Sequence, residues 1–235
     1  MKSFKERIKE LSYEKKSRLI LALDVFKRDE ALNFLKPNMA DKLVSVKMNL
    51  PLLLSLSIEE IRELTSKAKG ELNLLTIADI KLNDIAYTNL NTAKLLWENG
   101  FDALIVNPIA GYEDGLKPLI ETSKKLGKGI INLVYMSHKG TEDFYSYLYE
   151  KFLTKSLEWE VDGIIVGATN LKILSNISRR VGGKLLIFSP GIGAQGGKVK
   201  EALKNGSDFI IVGRSILDSR EPESTAEKIR QESWF

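Results

Sequence analysis

The chain has 235 residues, 43% apolar and 28% charged, with 35 basic against 31 acidic side chains and a formal net charge of +4. This composition suits a water-soluble globular protein with a sizeable core, and no apolar stretch approaches the roughly 20 residues that cross a bilayer. Dispersed lysines argue against nucleic acid as a partner, and the lack of cysteine excludes disulfides, thiolate metal sites and thiol catalysis.

The opening segment, MKSFKERIKELSYEKKSR, has the spacing of an amphipathic helix and lacks the apolar centre of a secretory signal. Together with the missing cysteines, this points to a cytoplasmic protein. Short apolar runs then recur: RLILALDV from 18, KLVSVKMN from 42, LNLLTIADIK from 72, ALIVNP from 103, KGIINLVYM from 128, GIIVGA from 163, KLLIFSPG from 184 and FIIVGR from 209. Nearly continuous apolar runs are expected of parallel strands covered on both faces.

Between the runs lie segments with helical spacing. In SIEEIRELTSKAKG, Ser57 and Glu60 form a capping-box pattern and Gly70 reads as the stop; IAYTNLNTAKLLWENG also ends in glycine. Eight strand–helix alternations predict an α/β fold, a (β/α)8 TIM barrel forming a single domain over residues 1–235. The opening helix would cover the barrel bottom, and the tail EPESTAEKIRQESWF would close the ring.

In such barrels the reactive groups sit at the C-terminal ends of the strands. Those positions hold Asp24, Lys47, Asp79 with Lys81 and Asp84, Asn107, Ser137 with His138, the loop Pro190 to Gly197, and Gly213 with Arg214. Strand alternation puts Asp79 and Lys81 on one face, toward the barrel mouth, with Ile80 turned to the helix layer. By itself D-x-K-x-x-D also fits a salt bridge followed by an N-cap at Asp84. Asp24 and Lys47 end the two preceding strands, where isolated charges are costly to bury, so an alternating acid–base network is one solution.

The loop SPGIGAQGG, with Pro190, Gly191 and Gln195, lets backbone approach a ligand, and VGRS adds Gly213 and a guanidinium at Arg214. Together they match the phosphate site that many barrels build from loops seven and eight. His138 is the single histidine, so neither a histidine metal cage nor a Ser-His-Asp triad is supported, and no metal site is expected. Ser137 is a ligand contact or a helix cap. The aromatic run FYSYLYEKF, at near-helical spacing, reads as packing.

In order and along most of the chain, LALDV, VKMN, DIKLND, MSHKG, SPGIGAQGG and IVGRS resemble the orotidine 5'-phosphate decarboxylase family. That resemblance implies a nucleotide substrate, a homodimer, no cofactor, and conversion of orotidine 5'-phosphate to uridine 5'-phosphate in pyrimidine biosynthesis. It implies Asp24 and Lys47 near the ribose hydroxyls, Asp79 beside the substrate carboxylate and Lys81 as proton donor. Asp84 and Thr88 would reach into the partner subunit's site. Ser137 and Gln195 would contact the pyrimidine, Gln195 would also help hold the phosphate, Pro190, Gly191 and their loop would close over the ligand, and Gly213 and Arg214 would grip the phosphate. One departure is Lys139, where family members often carry proline.

Three rivals share parts of this pattern. Magnesium-dependent 3-keto-gulonate-phosphate decarboxylases and hexulose-phosphate synthases share D-x-K-x-x-D but usually carry an acid near the position of Lys47. A Schiff-base aldolase would need Lys47 or Lys81 as a free amine, which flanking acids disfavour. A non-catalytic nucleotide-binding barrel would bind without turnover.

Overall fold

The computed structural model describes residues 2–234. Strands β1 (Leu19–Leu23), β2 (Ser45–Asn49), β3 (Leu75–Leu82), β4 (Ala103–Val106), β5 (Gly129–Tyr135), β6 (Gly163–Val166), β7 (Leu186–Ser189) and β8 (Phe209–Val212) follow the eight apolar runs. All neighbours pair in parallel, and β8 returns to β1 to close the barrel in chain order. Closure leaves no strand edge open.

Alternation divides the core in two. Leu19, Leu21 and Leu23 face the helix layer, whereas Ile20 and Ala22 face the barrel axis with Ile77, Ile105, Leu133, Ile165 and Ile211. The interior is therefore packed side chain and not a channel, which leaves the C-terminal mouth as the place where polar groups can gather.

The opening helix, α1 (Phe4–Lys15), begins with a capping box between Ser3 and Glu6. Its Phe4 and Ile8 are fully buried among the axis-facing residues, and the Phe4 ring stacks on Phe188 at 6.4 Å between centroids. Arg7 holds α1 down through a 2.8 Å salt bridge to the buried Asp102. The expected cover over the barrel bottom is present. A closing helix, Pro222–Ser233, also forms, and its Ser233 hydroxyl accepts a 3.2 Å hydrogen bond from the Arg18 backbone N–H.

Asp102, Asp162 and Asp208 form a device that sequence reading did not single out. Each directly precedes an even-numbered strand, and each carboxylate accepts the backbone N–H of the second residue of the strand before it. The distances are 3.1 Å to Thr76, 2.9 Å to Ile130 and 2.8 Å to Ile187. Burial pushes the Asp162 and Asp208 carboxyls up, although the backbone donors partly offset it.

One helix stop differs from expectation. The capping box at Ser57 and Glu60 forms, with Ser57 Oγ accepting from the Glu60 N–H, but the helix Ile58–Ser66 does not end at Gly70. It widens into a π turn, Lys67–Glu71, that runs through Gly70, and the left-handed residue past its end is Asn73, at φ 48°. Asparagine tolerates that conformation, so glycine is not needed there. Gly100, at φ 101°, does follow the helix Ala86–Glu98 as read. Among the described residues no helix is long and apolar enough to cross a membrane.

Candidate active site

A cavity of about 280 Å3 opens at the C-terminal mouth of the barrel. On one side, β1, β2 and β3 deliver a ladder of alternating charge. Lys47 Nζ lies 3.7 Å from Asp24 Oδ1 and 2.8 Å from Asp79 Oδ2, and Lys81 Nζ lies 2.7 Å from Asp79 Oδ1. The Lys47 and Asp79 side chains are only 8% and 11% exposed, so their charges survive through each other.

Burial alone would push the Lys47 ammonium down, but Asp79 and Asp24 outweigh it and hold its pKa above the ordinary lysine value. Likewise burial would raise the Asp79 carboxyl, but Lys47 and Lys81 outweigh it and hold it below the usual range. At neutral pH the buried rungs are ionised.

Asp79 and Lys81 both line the cavity, but simple alternation does not bring them there. In the pairing with β4, Asp79 opposes Ile105 and the next matched residue is Leu82 against Val106, so Ile80 and Lys81 are bulged out of register. Lys81 sits at φ 48°, a left-handed conformation that costs a lysine about 1–2 kcal/mol. Such strain tends to accompany sites where a side chain must be aimed. Ile80 packs against the outer core as expected.

The opposite wall comes from the loops after β5, β7 and β8. Ser137, His138, Pro190, Gly191, Gln195, Gly213 and Arg214 all line the cavity. Gly191 is at φ 95°, and a Cβ there would stand 3.0 Å from the Ser137 Cβ and 3.1 Å from Gln195 Oε1, so only glycine lets these groups converge. Ser137 is not a cap: the helical turn Lys139–Asp143 begins from His138, with no side-chain cap bond. Lys139 is exposed and outside the lining.

Three expected positions lie elsewhere. Asn107 turns into its own loop, where its Oδ1 accepts from the Ile109 N–H and its Nδ2 donates to the Tyr145 hydroxyl. Asp84 and Thr88 are exposed and outside the lining. Nor does Asp84 cap in the usual way. The helix starts after Ile85, the Asp84 carboxylate accepts, among the described residues, only the adjacent Ile85 N–H at 2.7 Å, and the Asn89 amide closes the turn. In the aromatic run, Tyr145 and Tyr149 pack edge-on against Phe152 and Tyr135, but Phe144 and Tyr147 are exposed.

Between the walls lies an apolar floor of Ala22, Ile105, Leu133, Ile165 and Ile211, which sequence reading missed. A signal was available. Ala22 and Ile211 lie two residues before Asp24 and Gly213, hence on the same strand face.

Fold and site together define an enzyme barrel whose mouth sets a fixed ammonium–carboxylate ladder beside an apolar floor and a glycine-rich loop. Comparison with known proteins makes this specific: residues 17–229 match the profile described as the orotidine 5'-phosphate decarboxylase / HUMPS family, and the chain belongs to that family. It is 39% identical over 216 residues to orotidine 5'-phosphate decarboxylase of Thermococcus kodakarensis, covering 92% of this chain and 96% of that protein. Among solved structures, the Methanocaldococcus jannaschii enzyme complexed with the inhibitor BMP superposes with a TM-score of 0.83 at 34% identity, covering 92% of this chain and 98% of that one. The Pyrococcus horikoshii enzyme gives 0.80 at 35%, covering 92% and 98%.

Proposed function

We propose that the cavity takes orotidine 5'-phosphate and releases uridine 5'-phosphate and carbon dioxide, as a step in pyrimidine biosynthesis. The observation that carries this reading is the ladder: Asp79 is held between two ammonium groups, with Lys81 at its outer end lining the same cavity as the apolar floor. The bond from the ring carbon to the carboxylate breaks, and its electron pair stays on the ring carbon. A fixed ammonium facing that carbon stabilises charge which the ground state has not yet placed there. Lys81 Nζ then donates the proton that completes the product, and its 43% exposed side chain can be reprotonated from solvent.

In this reading Asp79 lies beside the substrate carboxylate and orients Lys81, while Asp24 and Lys47 hold the ribose hydroxyls. Ser137 and Gln195 contact the pyrimidine, and Gly213 and Arg214 take the phosphate. The loop from Pro190 to Gly197, Gly191 included, closes over the ligand, so binding energy from the distant phosphate helps to assemble and dry the site. The single domain spans residues 1–235 and works in the cytoplasm.

The catalytic unit is a homodimer in which Asp84 and Thr88 complete the partner's site. Support comes from their surroundings: both are exposed, and Ile85 and Tyr87 beside them are 63% and 78% exposed, an apolar flank suited to burial against a second copy. The magnesium-dependent rivals are disfavoured by the Lys47 ammonium, which lies 2.8 Å from Asp79 Oδ2 and would repel a cation there. Ultraviolet absorbance of orotidine 5'-phosphate, followed with purified protein and a chelator, tests the proposal. Conversion to uridine 5'-phosphate is expected; binding without turnover would favour a non-catalytic barrel, and turnover that needs added magnesium would favour the rivals.

A further inference from the structure

The loop between Pro190 and Gly197 carries two cavity-lining groups on its exposed tip, Ala194 and Gln195. Internally it is tied by Gly193 N–H to Gly197 O at 2.8 Å and Gly197 N–H to Gly191 O at 3.0 Å. Among the described residues, one hydrogen bond joins residues 193–196 to the rest of the barrel: the Ala194 N–H donates to Ser215 Oγ at 3.0 Å. Gly193 presses on the same side chain. At φ 73°, a Cβ on it would stand 2.1 Å from Ser215 Oγ and 3.0 Å from Ser215 Cβ. Hydrogen bond and close backbone approach thus meet on one hydroxyl, directly after Arg214.

We propose that Ser215 is a positioning residue, a latch that holds the tip of the β7 loop against the turn carrying Arg214. It is not itself part of the cavity lining. Its effect is to fix Ala194 and Gln195 over the cavity in register with the guanidinium, so that one ligand group meets loop and arginine together. The catalytic consequence rests on the reading of the cavity as an orotidine 5'-phosphate site; the contact itself does not.

Ser215→Ala tests both levels. Losing the one hydrogen bond that ties down the loop tip is expected to lower kcat/KM for orotidine 5'-phosphate by about 3- to 10-fold. Turnover of the unphosphorylated nucleoside, which has no phosphate to meet the loop and Arg214 together, should fall by less than that of the nucleotide. Amide exchange at Ala194 in the unliganded protein should quicken by about 3- to 10-fold, because that amide loses its acceptor. Gly193→Ala, which drives the loop off Ser215, should reproduce the kinetic loss, and the double variant should be no worse than the poorer single.

Equal losses for nucleotide and nucleoside, or unchanged nucleotide kinetics with unchanged Ala194 exchange, would overturn the latch. Were the wild-type protein inactive on orotidine 5'-phosphate while Ala194 exchange still quickened in Ser215→Ala, the substrate reading would fall and the latch would stand.

Discussion

Replacing Lys47 by methionine keeps the aliphatic stem and removes the charge at the centre of the ladder. At 2.8 Å, and with an effective dielectric constant of about 20, the Lys47–Asp79 pair attracts by ~6 kcal/mol before desolvation. Asp24 adds less, because its side chain is 40% exposed and screened by solvent. Desolvation takes back part of the attraction, and Asp79 keeps Lys81 as a partner, so Lys47→Met should cost about 3 kcal/mol of stability at pH 7. For a chain of this size that lowers the Tm by ~6–12 °C. The cost should depend on pH in a definite direction. The folded Asp79 carboxyl titrates below its ordinary value of 3.8, so the folded state binds fewer protons than the unfolded chain in that range. Stability from the pair is therefore present above about pH 4 and is lost as pH falls through the folded value. Thermal denaturation of both proteins from neutral to acid pH should show a gap that narrows below about pH 4. A variant within ~2 °C of wild type at pH 7, or a gap that persists in acid, would refute the reasoning.

Lys81→Ala should lower turnover by at least ~1,000-fold while circular dichroism stays native; activity within tenfold of wild type would contradict its role. Arg214→Ala removes charge-assisted bonds to phosphate and should reduce kcat/KM for the nucleotide by ~10- to 100-fold, read from initial rates. If Asp84 completes the partner's site, co-refolding Lys81→Ala with Asp84→Ala chains regenerates one intact site in each mixed dimer. Random pairing should then return about a quarter of wild-type activity, where each variant alone has little. No recovery on mixing would place Asp84 outside the shared site.

The strands were legible because a parallel barrel buries both strand faces, so FIIV and GIIV stand out as unbroken apolar runs. The ladder was legible because Asp24, Lys47 and Asp79 belong to consecutive runs that pair as neighbours, although Lys47 and Asp79 lie within β2 and β3 and only Asp24 falls just past its strand. The route by which Lys81 reaches the cavity was not. A bulge and a left-handed lysine run against local propensity and show only in three dimensions. Gly70 misled because its conformation there is ordinary and the work at the helix end falls to Asn73. Asp102, Asp162 and Asp208 escaped notice because one aspartate before an apolar run is unremarkable; the pattern emerges from their partners on the preceding strands.

The central claim is that a fixed ammonium on Lys81 meets charge developing on the ring carbon that loses carbon dioxide. A crystal structure with uridine 5'-phosphate bound measures this most directly. Lys81 Nζ should lie within ~3.5 Å of that carbon, the geometry of a reacting pair, with the phosphate on Arg214. An amine turned away from the ring, or a phosphate seated off the β8 turn, would contradict it.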